Sequence, residues 1–71
     1  MATSVEAQIT GNVFQIEKSV GDAVAEGDVL IILESMKMEI PVESPCAGRV
    51  AEVRVEPGQN VEEGTVLAVI E

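Results

Sequence analysis

Residues 29–42 read VLIILESMKMEIPV. Val29 to Leu33 is an unbroken apolar run, and Ile40 to Val42 resumes it beyond a polar centre. In that centre, Glu34, Ser35, Met36, Lys37, Met38 and Glu39 set one lysine between two methionines, and the triplet between two glutamates. An apolar run of five residues has strand length and is far short of the ~18 that cross a bilayer. With strands over 29–35 and 38–43, only Met36 and Lys37 remain to join them, the length of a two-residue hairpin turn. Such turns ask for positive φ at both central residues, which Asn-Gly or Asp-Gly meets without penalty. Met and Lys there cost about 1 kcal/mol or more per strained residue. A local rule broken with nothing structural gained is a pointer to function. Lys37 would then be displayed at a hairpin tip, its amine solvated and able to enter another protein's active site.

Outward from this centre the chain repeats itself. All six glycines pair at an offset of 37: Gly11 with Gly48, Gly21 with Gly58, and Gly27 with Gly64. Apolar positions keep the same offset: Val5 and Val42, Val13 and Val50, Val24 and Val61, Leu30 and Leu67, Ile32 and Val69. The 71 residues are one small domain made of two copies, roughly 5–34 and 42–71. Twelve Val, six Ile and three Thr favour pleated, half-buried surfaces. Each copy reads as strand, turn, strand, a GD-like turn, a short strand, a second Gly turn and a longer strand. Eight short strands follow. A single copy cannot bury its own apolar face, so the halves pack into a flattened barrel or sandwich with a pseudo-two-fold axis. Leu30, Ile32, Leu67 and Val69 are expected to face the core, because they keep large apolar partners while Ile31 aligns with Ala68. Val13, Ile16, Val20 and Val24 also fall at helix-like spacings. Gly21 interrupts that pattern, and a β-bulge near 14–15 accounts for the spacing instead.

Composition removes several function classes. With no histidine and one cysteine, Cys/His zinc sites and His-dependent acid–base or triad chemistry are excluded. No catalytic residue and no metal-ligand set is read. A formal charge of −9 opposes binding to nucleic acid and to anionic membranes, and it suits docking onto basic protein surfaces. The first ten residues, MATSVEAQIT, lack a basic n-region and an apolar h-region, so a cytoplasmic protein is expected. Cys46, in SPCAG before Gly48, reads as a small buried or semi-buried hydrophobe. Lys18, the other lysine, has no special neighbours.

ESMKME at 34–39 resembles the attachment motif of biotinyl domains, whose core is Met-Lys-Met. The frame is similar too: GDAVAEGDVLIILE before it, SPCAGRV after it, then PGQNVEEGTVLAVIE. The likeness covers essentially the whole chain and is greatest to the small stand-alone biotin/lipoyl attachment proteins. It implies an all-β barrel-sandwich hybrid of two four-stranded antiparallel sheets, with the termini at one end and the Lys37 hairpin at the other. It further implies a monomeric carrier, itself no enzyme, with biotin in amide linkage to Lys37. Biotin protein ligase would attach the biotin. Biotin carboxylase would load a carboxyl group from bicarbonate with ATP, and a carboxyltransferase would pass it to an acceptor. Met36 and Met38 carry over as presentation and ligase-recognition residues, and Glu34, Ser35 and Glu39 as flanking determinants. Three features depart from the family pattern. Ser35 stands where many such domains have Ala, Pro57-Gly58-Gln59-Asn60 lacks the Asp that Asp22 supplies in the first copy, and no insertion corresponds to the thumb loop of some bacterial carriers.

Two other readings stand beside this one. A lipoyl carrier would share the fold, but lipoyl domains typically carry Asp-Lys-Ala at the turn. An unmodified structural or adaptor hairpin would treat Lys37 as incidental, and Lys37→Arg would then change nothing.

Overall fold

Glycine turns cut the β-branched sequence into short extended pieces. The computed structural model describes residues 2–71, with eight strands. They are β1 (Thr3–Glu6), β2 (Gly11–Ile16), β3 (Ala23–Val24), β4 (Val29–Ser35), β5 (Met38–Glu43), β6 (Gly48–Val53), β7 (Asn60–Val61) and β8 (Val66–Ile70). The strands flanking Met36 and Lys37 have the bounds expected of them, and no helix occurs among the described residues. Two four-stranded antiparallel sheets result, ordered β1-β8-β6-β3 and β5-β4-β2-β7. Exchanging each strand for its counterpart in the other copy turns the first order into the second, so the sandwich has the expected pseudo-two-fold symmetry. Each sheet draws two strands from each copy. The halves are interleaved as well as packed, and neither closes a sheet alone.

The turns repeat one device. Gly21, Gly27, Gly58 and Gly64 all have φ near +90° (95°, 91°, 89° and 92°), where a Cβ is disfavoured. The residue after each glycine reaches back to a backbone N–H three positions earlier. Asp22 Oδ2 accepts from Ser19 N–H and Asp28 Oδ2 from Ala25 N–H, both at 2.8 Å. Gln59 Oε1 accepts from Glu56 N–H at 3.1 Å, and Thr65 Oγ1 from Glu62 N–H at 3.2 Å. Gln59 therefore does for the second copy what Asp22 does for the first.

Bulges decide which residues reach the core. Between Val13 and Gln15, β2 carries one more residue than β4 opposite, the bulge expected near 14–15. β6 repeats it between Val50 and Glu52. A second pair of bulges puts Leu30 and Ile31 together opposite Val42, and Leu67 and Ala68 together opposite Val5. Leu30 and Ile31 are each 1% exposed and Leu33 is fully buried, whereas Ile32 is only half-buried. The expectation that Ile32 faces the core is thus corrected. The extra residue at Leu30 lets two consecutive side chains point inward and turns Ile32 to the outer face. Val69 is buried at 7% exposure yet stands outside the core cluster for the same reason, while Ala68 and Ile70 lie within it. The core is Val5, Val13, Val24, Leu30, Ile31, Leu33, Val50, Val55, Val61, Leu67 and Ile70, with Ala7 and Ala68 filling gaps.

The free edges belong to β1, β3, β5 and β7. Pro41 interrupts the donor row of β5, as suits an edge strand. A cleft of about 260 Å³ lies between β1 and β5, lined by Val5, Ile9, Leu33, Ile40 and Val42. The molecule measures 32 × 17 × 17 Å. Gly11 packs on Glu34 at the hairpin end, and ten residues later Gly21 donates its N–H to Val50 O at 2.8 Å, where Arg49 and Glu71 exchange backbone hydrogen bonds. Thr3 pairs with Ile70 at that same end, so the termini and the hairpin occupy opposite ends of the long axis.

The bulge at Leu30 makes a measurable distinction. Ile31→Ala should lower the unfolding free energy by about 2–5 kcal/mol, the cost of a core cavity. Ile32→Ala should cost about 1 kcal/mol. Urea denaturation of the two variants reads both, and equal losses would contradict the inward pairing of Leu30 with Ile31.

Candidate functional site

The β4–β5 ladder holds the hairpin. Leu33 pairs with Ile40, Glu34 with Glu39 and Ser35 with Met38, leaving Met36 and Lys37 as the whole connection. Leu33, fully buried, roots the ladder in the core. Met36 has φ 53° and Lys37 φ 65°, the pair of positive angles that a type I′ turn demands. Among the described residues these are the non-glycine positions with positive φ, and they are adjacent.

At the tip all three side chains are in the open. Met36 is 91% and Met38 63% exposed, so neither is a core filler, and Lys37 is exposed between them. The one ion pair among the described residues joins Arg54 to Glu52 at 3.1 Å, so Lys37 is held by no carboxylate. Lys18 is half-buried at the end of β2, its N–H donating to Leu30 O at 3.2 Å. Lys37 is thus the more exposed of the two lysines.

Glu34 and Glu39, both exposed, stand directly opposite each other across the ladder. A like-charge pair in that position is mildly destabilising. It is a second local cost at the same tip. Ser35 is half-buried. A Cβ built on Gly11 would lie 2.8 Å from Glu34 O and 3.4 Å from Ser35 Cβ, so β2 passes tightly beneath the hairpin base. Space there suits a small side chain, and serine meets that requirement as alanine would. Asn12, which pairs with Glu34, donates through Nδ2 to Gly58 O and Asn60 Oδ1, both at 2.9 Å. Gly11 and Asn12 thereby tie the hairpin base to β7. Reading the sequence alone assigned neither to the site. In sequence Gly11-Asn12 looks like the Gly-acceptor pairs of the turns, and only the structure shows Asn12 acting as a donor and Gly11 within a strand.

Cys46 lies away from the tip. It is half-buried against the core, with Ser44 Oγ donating to its carbonyl at 2.6 Å, as a small semi-buried hydrophobe should be. Among the described residues no three of His, Cys, Asp and Glu gather to hold a metal ion, and no helix is long and apolar enough to cross a membrane. The arrangement offers one chemical handle, a primary amine on a rigid stalk.

Known proteins resemble this chain in sequence and in fold. The biotin/lipoyl family model, described as "Biotin-requiring enzyme", matches residues 1–70. A biotinylated protein TB7.3 homolog of Mycobacterium leprae is 55% identical over 42 residues, 59% of this chain and 59% of that one. The biotin/lipoyl attachment protein of Bacillus subtilis is 44% identical over 39 residues, 55% of this chain and 53% of its own. The aligned stretches thus span a little over half the length of these relatives. Among solved structures, Kluyveromyces lactis urea carboxylase superposes on 100% of this chain with a TM-score of 0.95 and 35% identity, using 6% of its own length. A single-chain, multi-domain long-chain acyl-CoA carboxylase superposes on 96% with a TM-score of 0.90 and 35% identity, using 7% of its length. Family model, sequence relatives and superpositions agree, and the chain belongs to the biotin/lipoyl attachment family.

Proposed function

We propose that this protein is a biotin carboxyl carrier, biotinylated on Lys37 by a biotin protein ligase and visiting biotin carboxylase and carboxyltransferase active sites in turn. The observation that carries the proposal is the exposed Lys37 at φ 65°, held between two exposed methionines on a turn that a glycine would make more cheaply. The residues fit the group. The acceptor amine has no competing carboxylate, and Met36 and Met38 provide an apolar, polarizable collar of the kind an enzyme surface grips. Bound biotin would supply a ureido ring able to carry a carboxyl group; the chain's own residues only hold, aim and present it.

Presentation is a matter of stiffness. Lys37 has no slack in its backbone, because the ladder closes at Ser35 and Met38 on either side. A cofactor on such a stalk samples a small volume near the tip, which raises its effective concentration at a docked partner's active site. For biotin transfer the ligase first activates the biotin carboxyl with ATP as an acyl phosphate ester of AMP; Nζ then attacks the carboxyl carbon, the amide forms as the C–O bond to AMP breaks, AMP leaves, and Nζ gives up its proton to the ligase. Glu34, Ser35 and Glu39 flank the tip and supply the charge and shape that a ligase reads. The acidic chain works as a cytoplasmic monomer that meets each partner transiently.

Two experiments follow. Incubation with biotin, ATP and biotin protein ligase should add the mass of one biotinyl group, on Lys37 by peptide mapping, and Lys37→Arg should add none. A lipoyl mass in protein isolated from cells making both cofactors would replace biotin with lipoate in the proposal, and an unmodified Lys37 would favour an adaptor hairpin. Met36→Gly should relieve the turn and raise stability by about 1 kcal/mol in thermal unfolding, while lowering the rate of biotin transfer. A variant both more stable and fully active would remove Met36 from the presentation machinery.

A further inference from the structure

The duplicated fold serves as its own control, and on one face the two sheets differ. At the β2 bulge Phe14 and Gln15 lie together opposite Ile32, and Ile32 pairs with Pro41 on β5. Phe14, Ile32 and Pro41 therefore form an apolar row across β2, β4 and β5 on the solvent side of the sheet that carries the hairpin. Phe14 is the chain's one aromatic residue and is 47% exposed, and Pro41 is exposed beside it. An aromatic residue spent on the surface of a chain with so small a core is informative in a way that a buried one is not. At the equivalent places on the other sheet, 37 residues away, stand Ala51, Val69 and Ser4. The same bulge and the same pairing form there without the bulk, so the fold does not require it.

Charge frames the row. Glu34 and Glu39 pair between it and the tip, and Glu43 and Glu17 stand beyond it. Both arginines belong to the other sheet, Arg49 within β6 and Arg54 just after it. We propose that this face, Phe14, Ile32 and Pro41 within a ring of carboxylates, is the docking surface for the enzyme that acylates Lys37, and that it takes a protein surface presenting an apolar seat among lysines and arginines. The proposal rests on the reading of Lys37 as the acceptor. Reach favours the acylating enzyme over those that act later. The row lies three residue pairs below Ser35–Met38, and at the strand rise that is about 10 Å. An enzyme that brings an activated acyl group to the bare amine has only the lysine stem to work with, so its walls come down along the sheet. Enzymes that meet the longer, cofactor-bearing arm need not approach so closely.

The test is acceptor kinetics with biotin protein ligase, biotin and ATP. Phe14→Ala and Pro41→Ser install the residues that the other sheet already carries, and Val20→Ser, exposed but outside the row, serves as control. Truncating a central apolar contact commonly costs enough to raise KM about tenfold. That rise is expected for Phe14→Ala, with a smaller one for Pro41→Ser, near-constant kcat and no effect of Val20→Ser. The wild-type KM should also rise with salt. An unchanged KM in both row variants, with wild type fully biotinylated, overturns the docking surface and leaves the carrier reading intact. A wild-type chain that accepts no biotin overturns the carrier reading instead. Loss of cooperative unfolding in Phe14→Ala would make Phe14 a structural residue, and loss of carboxylation alone would assign the face to a later partner. A dimer dissolved by Phe14→Ala in sedimentation would make it a self-association surface; each of these outcomes overturns the proposal as made.

Discussion

Two adjacent non-glycine residues in left-handed backbone are the constraint on which the rest of this structure depends. Met36 and Lys37 hold φ values of 53° and 65°, a conformation that costs each of them about 1–2 kcal/mol. Nothing at the tip itself offsets this, since both side chains are exposed, and one step below the closing Ser35–Met38 pair Glu34 stands against Glu39. The compensation is remote. Leu33 is fully buried one pair below the glutamates, Gly11 lets β2 lie against the Glu34 carbonyl, and Asn12 ties β2 to Gly58 and Asn60. Strain of this kind persists only where the surroundings over-determine it.

The internal duplication shows what the compensation consists of. Gly48 packs on the Glu71 carbonyl as Gly11 packs on Glu34, and Arg49 Nη1 donates to Gly21 O at 2.7 Å where Asn12 donates to Gly58 O. The counterpart of the hairpin end is thus the end where Thr3 meets Ile70 and the two termini lie. There the same ladder closes with no turn to strain. The scaffold was built twice, and only one copy of it carries a displayed lysine. Differences between the copies, more than their similarities, therefore locate what the protein does.

Much of this was legible in sequence because glycine and β-branched residues report on backbone directly. The offset of 37 gave the strands their order, and the lack of any spare residue between 35 and 38 dictated the turn. The bulge at Phe14 disturbed a period-two pattern and so left a trace. The bulge at Leu30 did not, because VLIIL is apolar at every position and a shift of face leaves such a run unchanged. For that reason Ile32 read as core when it is half-exposed. Interleaving was equally silent, since a repeat identifies equivalent strands without saying which ones pair. The turn caps were readable but disguised: Asp22, Asp28, Gln59 and Thr65 share an acceptor at one distance from the backbone and little else.

A chain that displays one amine at a tip needs a different arrangement of polar groups from one that encloses a pocket, and the arrangement here is of the first kind. Ser44 is the one buried polar side chain recorded in the core region, and its hydroxyl is spent on the Cys46 carbonyl. No buried side-chain nitrogen or oxygen among the described residues lacks a partner, so there is no unpaired group waiting for a substrate inside the molecule. Buried unpaired polar groups are where enzymes hold strain and chemistry. Among the described residues every buried side-chain polar atom is paired, and the exposed Lys37 stands at one end of a 32 Å axis. What the chain contributes at that end is geometry: a fixed direction for Lys37, set by the ladder that closes at Ser35 and Met38.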